Sequence, residues 1–262
     1  MLVEECELAG WVMRTLLPHV HSVEISDPGD EEMANFKIAV QHYDQMTRTT
    51  TRLQNQIKAR FRQQGIMTAG KGVYGLAGRR EAISMLKSEA MAEILRQDFR
   101  LLDHAQKERT AANRLVTKLS RDFPVIRRLK KIPGVGTVSA SRFVAYVQSP
   151  YRFNTKGLVN FSRLAVVKKE SGDSIVCGEH LSREGNGAMK ALSRTVFNGA
   201  MKTTGTNGIR DYYLRSLSRT KNETHARLNT QRKILAVMNA VWRDETEYSD
   251  HLVTGRGARR TL

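Results

Sequence analysis

Cysteine is nearly absent from this sequence. Only Cys6 and Cys177 occur, and neither sits in a paired metal-ligand spacing. That argues against a disulfide framework and against a zinc finger, and the seven histidines are scattered. Long apolar runs are missing too. No stretch approaches the roughly 18 apolar residues of a membrane-spanning helix, so no membrane partner is expected. The N-terminus lacks a basic segment followed by an apolar run, so it does not read as a signal peptide, and the cytoplasm is the expected location. Acids are in short supply: 26 Asp and Glu face 43 Lys and Arg, for a net charge of +17. A surplus of that size favours polyanionic partners and says nothing about fold.

The few acids are unevenly placed. Glu4, Glu5, Glu7, Glu24, Asp27, Asp30, Glu31 and Glu32 face one base, Arg14, in the first 35 residues, a local charge of −7 that leaves +24 on the remainder. An acidic head and a basic remainder point to different jobs. A ribosomal or nucleoid-like structural protein could share the total charge, but the acidic head and the structured C-terminal half fit it less well.

Residues 1–30 read as the broken start of an α/β unit: a strand ending at Leu2-Val3, a short helix over Leu8–Leu17, a strand over Val20–Ile25, then the turn Asp27-Pro28-Gly29-Asp30. Two short strands are too few for a sheet. Residues 31–65 carry Phe36, Val40, Tyr43, Thr47, Thr50, Leu53, Ile57 and Phe61 at spacings of three and four, which predicts one long helix with Gly65 at its C-terminus. A second long helix is predicted over 79–121. The pair implies an antiparallel coiled coil across 31–124 and offers a dimer surface. Beyond it, 125–245 is a helical unit, with short helices over Val125–Lys131, Thr137–Val147 and Lys156–Leu164 and a loop or hairpin over Val166–Cys177. Further helices are expected over 188–203, 207–219 and 222–243, and residues 246–262 read as a basic tail.

The most informative stretch joins the first two of those short helices: Lys130-Lys131-Ile132-Pro133-Gly134-Val135-Gly136-Thr137. A Pro-Gly-x-Gly turn followed by a helix start presents backbone amides, and Gly134 and Gly136 put no Cβ in the way. Such amides hold phosphate. The pattern is that of a helix-hairpin-helix, which contacts the nucleic-acid backbone rather than the bases. An ordinary helix–helix connection is the alternative.

The order that follows is specific: IPGVG, then SRFVAYVQSPYRF, a helix, AVVKKESG and LSREGNGAMK. This resembles the C-terminal domain of the IS110/IS116/IS902 family of transposases, in which the hairpin precedes an Arg-Phe turn, a Ser-Gly motif and a Gly-Asn loop that opens a helix. Phe153, Ser171-Gly172 and Leu181–Asn186 match in order. The resemblance covers about residues 125–203 and extends more weakly to 245.

The family begins with a RuvC-like domain, a ribonuclease-H-like sheet carrying four acids that bind Mg²⁺. Here Val3-Glu4-Glu5-Cys6 with Leu8-Ala9-Gly10-Trp11 is similar to the segment that carries the family Glu, which makes Glu4 the metal-binding and catalytic candidate. The first strand with its Asp and the Asp-x-x-Asp segment have no counterpart. Asp27 and Asp30 share that pair's spacing only, and Asp44, Asp98 and Asp103 read as surface acids on the long helices. Gln56–Gly65 is similar to the family's coiled-coil insertion.

The resemblance thus implies a mostly α protein. It would hold a remnant of the RuvC-like domain, a long antiparallel coiled coil and a helical transposase domain with a helix-hairpin-helix, truncated and internally deleted at its N-terminal side. It implies DNA transposition and recombination through a serine nucleophile, with Ser171 the best match and Ser182 the runner-up. Lys168, Lys169, Arg183 and Lys190 would supply positive charge to nucleic acid beside Lys130, Lys131, Gly134, Gly136 and Asn186. With most acids missing, productive Mg²⁺ binding and full catalysis are not expected. DNA is the implied partner, with a structured guide RNA and a homo-oligomer, or a hetero-oligomer with full-length relatives, beside it. A nucleic-acid-binding accessory or repressor without catalysis is the alternative reading.

Overall fold

In the computed structural model of the protein, residues 2–3, 15, 24–25, 31–171, 174–205 and 207–254 are described, with side chains apart from 2–3, 24–25, 168–171, 174–179 and 254. The described chain is mostly helical. Strand β1 (Leu2–Val3) pairs in parallel with β2 (Glu24–Ile25), Leu2 beside Glu24 and Val3 beside Ile25. Parallel neighbours need a crossover between them, and Thr15, inside that interval, is helical. Glu4, Cys6, Asp27 and Asp30 lie outside the described residues.

Helix α1 (Glu31–Gln63) follows the predicted apolar spacing. Glu31 and Glu32 in its first turn and Arg60 and Arg62 in its last complement the helix dipole, and Gly65 leaves it at φ +75°. The second long helix differs from expectation. It is split into α2 (Leu76–Ser84) and α3 (Glu89–Leu119), and Ser88 caps the restart by accepting the Met91 N–H at 3.3 Å. The apolar period runs across this break, so spacing alone reads the two helices as one. Helix α2 is pinned to α3 by Arg79, which donates to both Asp103 carboxylate oxygens at 2.6 and 2.5 Å and lies 4.7 Å from the Phe99 ring centre.

Helices α1 and α3 run antiparallel. Phe36 and Val40 share one core with Val116, whereas Ile57 and Phe61 share a second with Leu95, Phe99 and Leu102. The first of these cores is the main one. It continues into α4 (Pro124–Leu129), α5 (Thr137–Val147), α6 (Thr155–Phe161), α7 (Gly187–Lys202), α8 (Gly208–Thr220), α9 (Glu223–Arg243) and α10 (Asp250–Thr254). Leu129, Ile132, Phe143, Leu164, Met189 and Leu192 are fully enclosed there, each removing enough apolar surface to stabilise by roughly 1.5–3 kcal/mol. Between α6 and α7 stands an antiparallel hairpin of β3 (Val166–Ser171) and β4 (Ser174–Leu181), with register shifts on either side of Lys169.

Residues 246–254, expected as part of a basic tail, include helix α10. Asp250 accepts the Gly208 N–H at 2.7 Å and the Tyr248 hydroxyl at 2.7 Å, and Val253 is buried. Residues 255–262 lie outside the described residues.

The turn between α4 and α5 is set by packing. The Val135 N–H donates to the Ile132 carbonyl at 3.0 Å, and Gly134 stands at φ +82°. A Cβ on Gly134 would lie 2.3 Å from the Val196 carbonyl oxygen and 2.5 Å from the Ala200 nitrogen, and one on Gly199 would lie 2.9 Å from the Gly134 Cα. Two facing glycines therefore let the turn backbone rest on the α7 backbone. Gly136, by contrast, faces open space. The two glycines of the turn thus have different surroundings.

Gly134→Ala combines positive-φ strain with a backbone clash and should lower stability by more than about 2 kcal/mol. Gly136→Ala should change it by less than about 1 kcal/mol. Urea midpoints at constant slope measure both.

Candidate nucleic-acid interface

Helix α5 starts at Gly136, which is exposed and at φ −94°, and no side chain caps it. The first backbone N–H groups of a helix have no partner within it, so this start offers donors and positive potential to an anion. Lys130 is exposed just before the turn. Lys131 pairs with Glu247, and Arg128 reaches Glu245 at 3.3 Å. Both are surface pairs, of small worth and weakened by salt.

Ser171 ends β3 opposite Ser174, where the hairpin turns. Lys168 and Lys169 precede it on the same strand. Of these three only the backbone is described. Ser182 hydrogen-bonds within its own loop: its hydroxyl accepts the Glu184 N–H at 3.1 Å, while its N–H donates to the Ala165 carbonyl at 2.8 Å. Arg183 is exposed. Gly185 stands at φ +101°, and a Cβ there would meet the Phe161 carbonyl oxygen at 2.5 Å. Asn186 then donates its N–H to that same oxygen at 2.6 Å, and its Oδ1 accepts the N–H groups of Ala188 and Met189 at 2.8 and 3.3 Å. Asn186 is thus the N-cap of α7, as a loop-to-helix Asn should be, with its side-chain oxygen engaged. Lys190 lines a separate cavity of about 400 Å³ with His180, Arg194 and His225.

The Arg-Phe turn is a stack. The Phe153 and Phe161 rings lie 4.7 Å apart, and the Arg152 guanidinium stands 5.1 Å from the Phe153 ring centre. It docks the end of α6 against the loop that follows α5.

Residues 126–214 match the Transposase IS116/IS110/IS902 family. The match covers about a third of the chain, from α4 into α8, and includes the turn, the β3–β4 hairpin and the Gly185-Asn186 loop. No curated protein matches the chain.

The acids of the long helices do not fit the Mg²⁺ chemistry associated with this transposase family. Asp44, Asp98 and Asp103 are ion-paired, and the first two are buried rather than at the surface. Asp44 accepts the Arg142 Nε–H at 2.7 Å and the Tyr146 hydroxyl at 2.8 Å and is 4% exposed. Asp98, equally buried, meets Arg60 at 3.1 Å and Gln56 at 3.3 Å. Asp103 is held by Arg79. Among the described residues no group of three His, Cys, Asp or Glu side chains converges for a metal.

Several basic residues of the C-terminal helices also have internal work. Arg210 donates to the Met201 and Gly205 carbonyls at 2.7 and 2.6 Å, closing the end of α7. Arg232 donates to the Leu164 carbonyl at 2.7 Å and is lowered in pKa by burial. Arg215 and Arg219 remain at the surface beside Tyr212. The Asp44–Arg142–Tyr146 cluster and Arg163 escaped the sequence reading, because no local motif marks a pair formed across such a chain separation.

Asp44→Ala leaves Arg142 without its carboxylate in a half-buried place and should cost about 3 kcal/mol. Burial, first, and then the Asp44 charge push the Tyr146 phenol well above its ordinary value of 10.0. The folded state therefore retains that proton where the unfolded chain loses it. The stability this confers is full below pH 10 and is lost as pH rises beyond. Tyr146→Phe should flatten the loss, as read from denaturation midpoints between pH 8 and pH 11.

Proposed function

We propose that this chain is a DNA-binding protein of the transposase type, which holds the nucleic-acid backbone on the face formed by the α4–turn–α5 unit and the start of α7. In this reading the unit is a helix-hairpin-helix, and α1 and α3 form the family's coiled coil. One observation carries the reading: the family match falls on the segment that contains the uncapped, exposed start of α5, in a chain of net charge +17. Contact with phosphates positions a protein without reading sequence. Lys130, Lys131, Arg183 and Lys190 provide the charge, and Gly136 gives the backbone room. Asn186 serves by holding the α7 start in place.

Ser171 is the residue that corresponds to the family nucleophile, and its place where β3 turns into β4 suits a group offered to a substrate. A serine still requires a base or a metal to activate it. Arginine engages Asp44, Asp98 and Asp103, which favours a second reading: binding without strand transfer, as an accessory or repressor. DNA is the primary partner in both readings, and a structured RNA shares the same phosphate chemistry.

Affinity for a short duplex should fall by about 10³-fold or more between 50 and 200 mM salt if six or more phosphates are neutralised. Lys130→Gln should reduce the salt slope by about one. A mobility shift that is absent at moderate salt for both DNA and RNA would remove the proposal. Incubation with labelled DNA and Mg²⁺ separates the two readings: a covalent adduct lost in Ser171→Ala supports catalysis, and binding without adduct supports the accessory role.

A further inference from the structure

An open cavity of about 510 Å³ lies between α1, α5 and the start of α7. Arg48, Arg142 and Arg163 line it, with Asp44, Thr47 and the first residues of α7. Asp44 neutralises Arg142 by direct pairing, so the walls carry two positive charges beyond balance. The Thr47 hydroxyl donates to the Tyr43 carbonyl at 2.9 Å and brings no charge.

Arg163 is held there at a cost to the backbone. It follows α6 in a Schellman closure, in which the Leu164 N–H donates to the Val159 carbonyl at 3.1 Å and the Arg163 N–H to the Asn160 carbonyl at 3.0 Å. The residue at that place takes the left-handed conformation and is usually glycine. Arg163 takes it at φ +55°. Its Nε–H donates to the Gly185 carbonyl at 2.7 Å, and a Cβ on Gly187 would come within 3.2 Å of its Nη1. A left-handed arginine, a carbonyl that orients its guanidinium and a glycine that leaves it space all serve to aim one charge into the cavity.

We propose that this cavity binds a single phosphate group, with Arg163 and Arg48 as its charged donors and Arg142, fixed by Asp44, as the third wall. Two sources share that chemistry: a phosphodiester of a bound nucleic acid, or a free phosphate or nucleotide. Only the first rests on the function proposed above. Guanidinium groups suit the site because each offers forked donors that match phosphate oxygens.

Arg163→Gly gives the decisive variant, since glycine accepts the left-handed backbone and the fold should keep its melting temperature. Arg48→Gln, on the exposed face of α1, is the second. Sodium phosphate is compared with sodium chloride at equal ionic strength by thermal melting. In parallel, an oligonucleotide is scanned with single methylphosphonate linkages. If the phosphate comes from nucleic acid, one neutral linkage weakens wild-type binding about tenfold, the scale of one charged contact, and leaves the double variant unchanged. If it is free, inorganic phosphate raises the wild-type melting temperature and not that of either variant. Either result supports the cavity. It is overturned if neither linkage nor phosphate distinguishes wild type from the variants, or if Arg163→Gly merely unfolds while Arg48→Gln keeps the full phosphate response. Nucleic-acid binding that persists through that failure leaves the proposed function standing. A phosphate response without nucleic-acid binding would do the reverse.

Discussion

The carboxylate of Asp44 ties the two halves of the described chain together. It sits on α1, is almost completely buried, and accepts from both Arg142 and Tyr146 of α5. Apolar packing between helices resists separation but tolerates sliding, whereas a buried charge is stable only with its partner in place. The cluster therefore sets the register of the long helical hairpin on the C-terminal unit. Arg142 also stands 5.5 Å from the Tyr43 ring centre, so one guanidinium is held by a carboxylate and an aromatic face from the same helix. The stacked rings of Phe36 and Phe123, 4.5 Å apart, brace the α1–α3 end nearby.

Much of the helical layout was legible because it depends on local rules. The spacing of Phe36, Val40, Ile57 and Phe61 gave α1, Asn186 marked the start of α7, and Gly65 and Gly185 took the positive φ that their places require. What could not be read depends on partners far along the chain. Asp44 and Arg142 are 98 positions apart, Arg232 and Leu164 are 68 apart, and nothing near Asp44 or Asp98 distinguishes a buried ion pair from a surface acid. The break at Ser84–Ser88 was hidden for a different reason: the apolar period continues through it while the backbone does not. Of the candidate site, the exposed Gly136 and the capping Asn186 were visible in the motif. The inward role of Gly134 was not, since it is defined by Gly199 on another helix.

The electrostatics of the proposed binding face are less one-sided than the composition suggests. Glu245 and Glu247 follow α9 and lie against Arg128 and Lys131, so part of the charge beside the turn is already balanced within the fold. A polyanion arriving at this face must displace those carboxylates or share the bases with them. Arg210 and Arg232, engaged by backbone carbonyls, contribute structure as well as charge. In the proposed binding, net charge would bring a polyanion to the protein, and the few unengaged donors would decide where it rests.

The contact of Gly134 with Gly199 turns α7 into a ruler. One end of that helix carries the turn before α5, and its other end opens at Gly187 beside Arg163. Gly187 and Gly199 stand twelve positions apart on α7, a span of about 18 Å at the ordinary rise. Along a duplex that distance is close to five base steps, or half a helical repeat. A rigid rod of that length cannot let the two ends choose their spacing independently, so the geometry of anything that touches both is dictated by one helix.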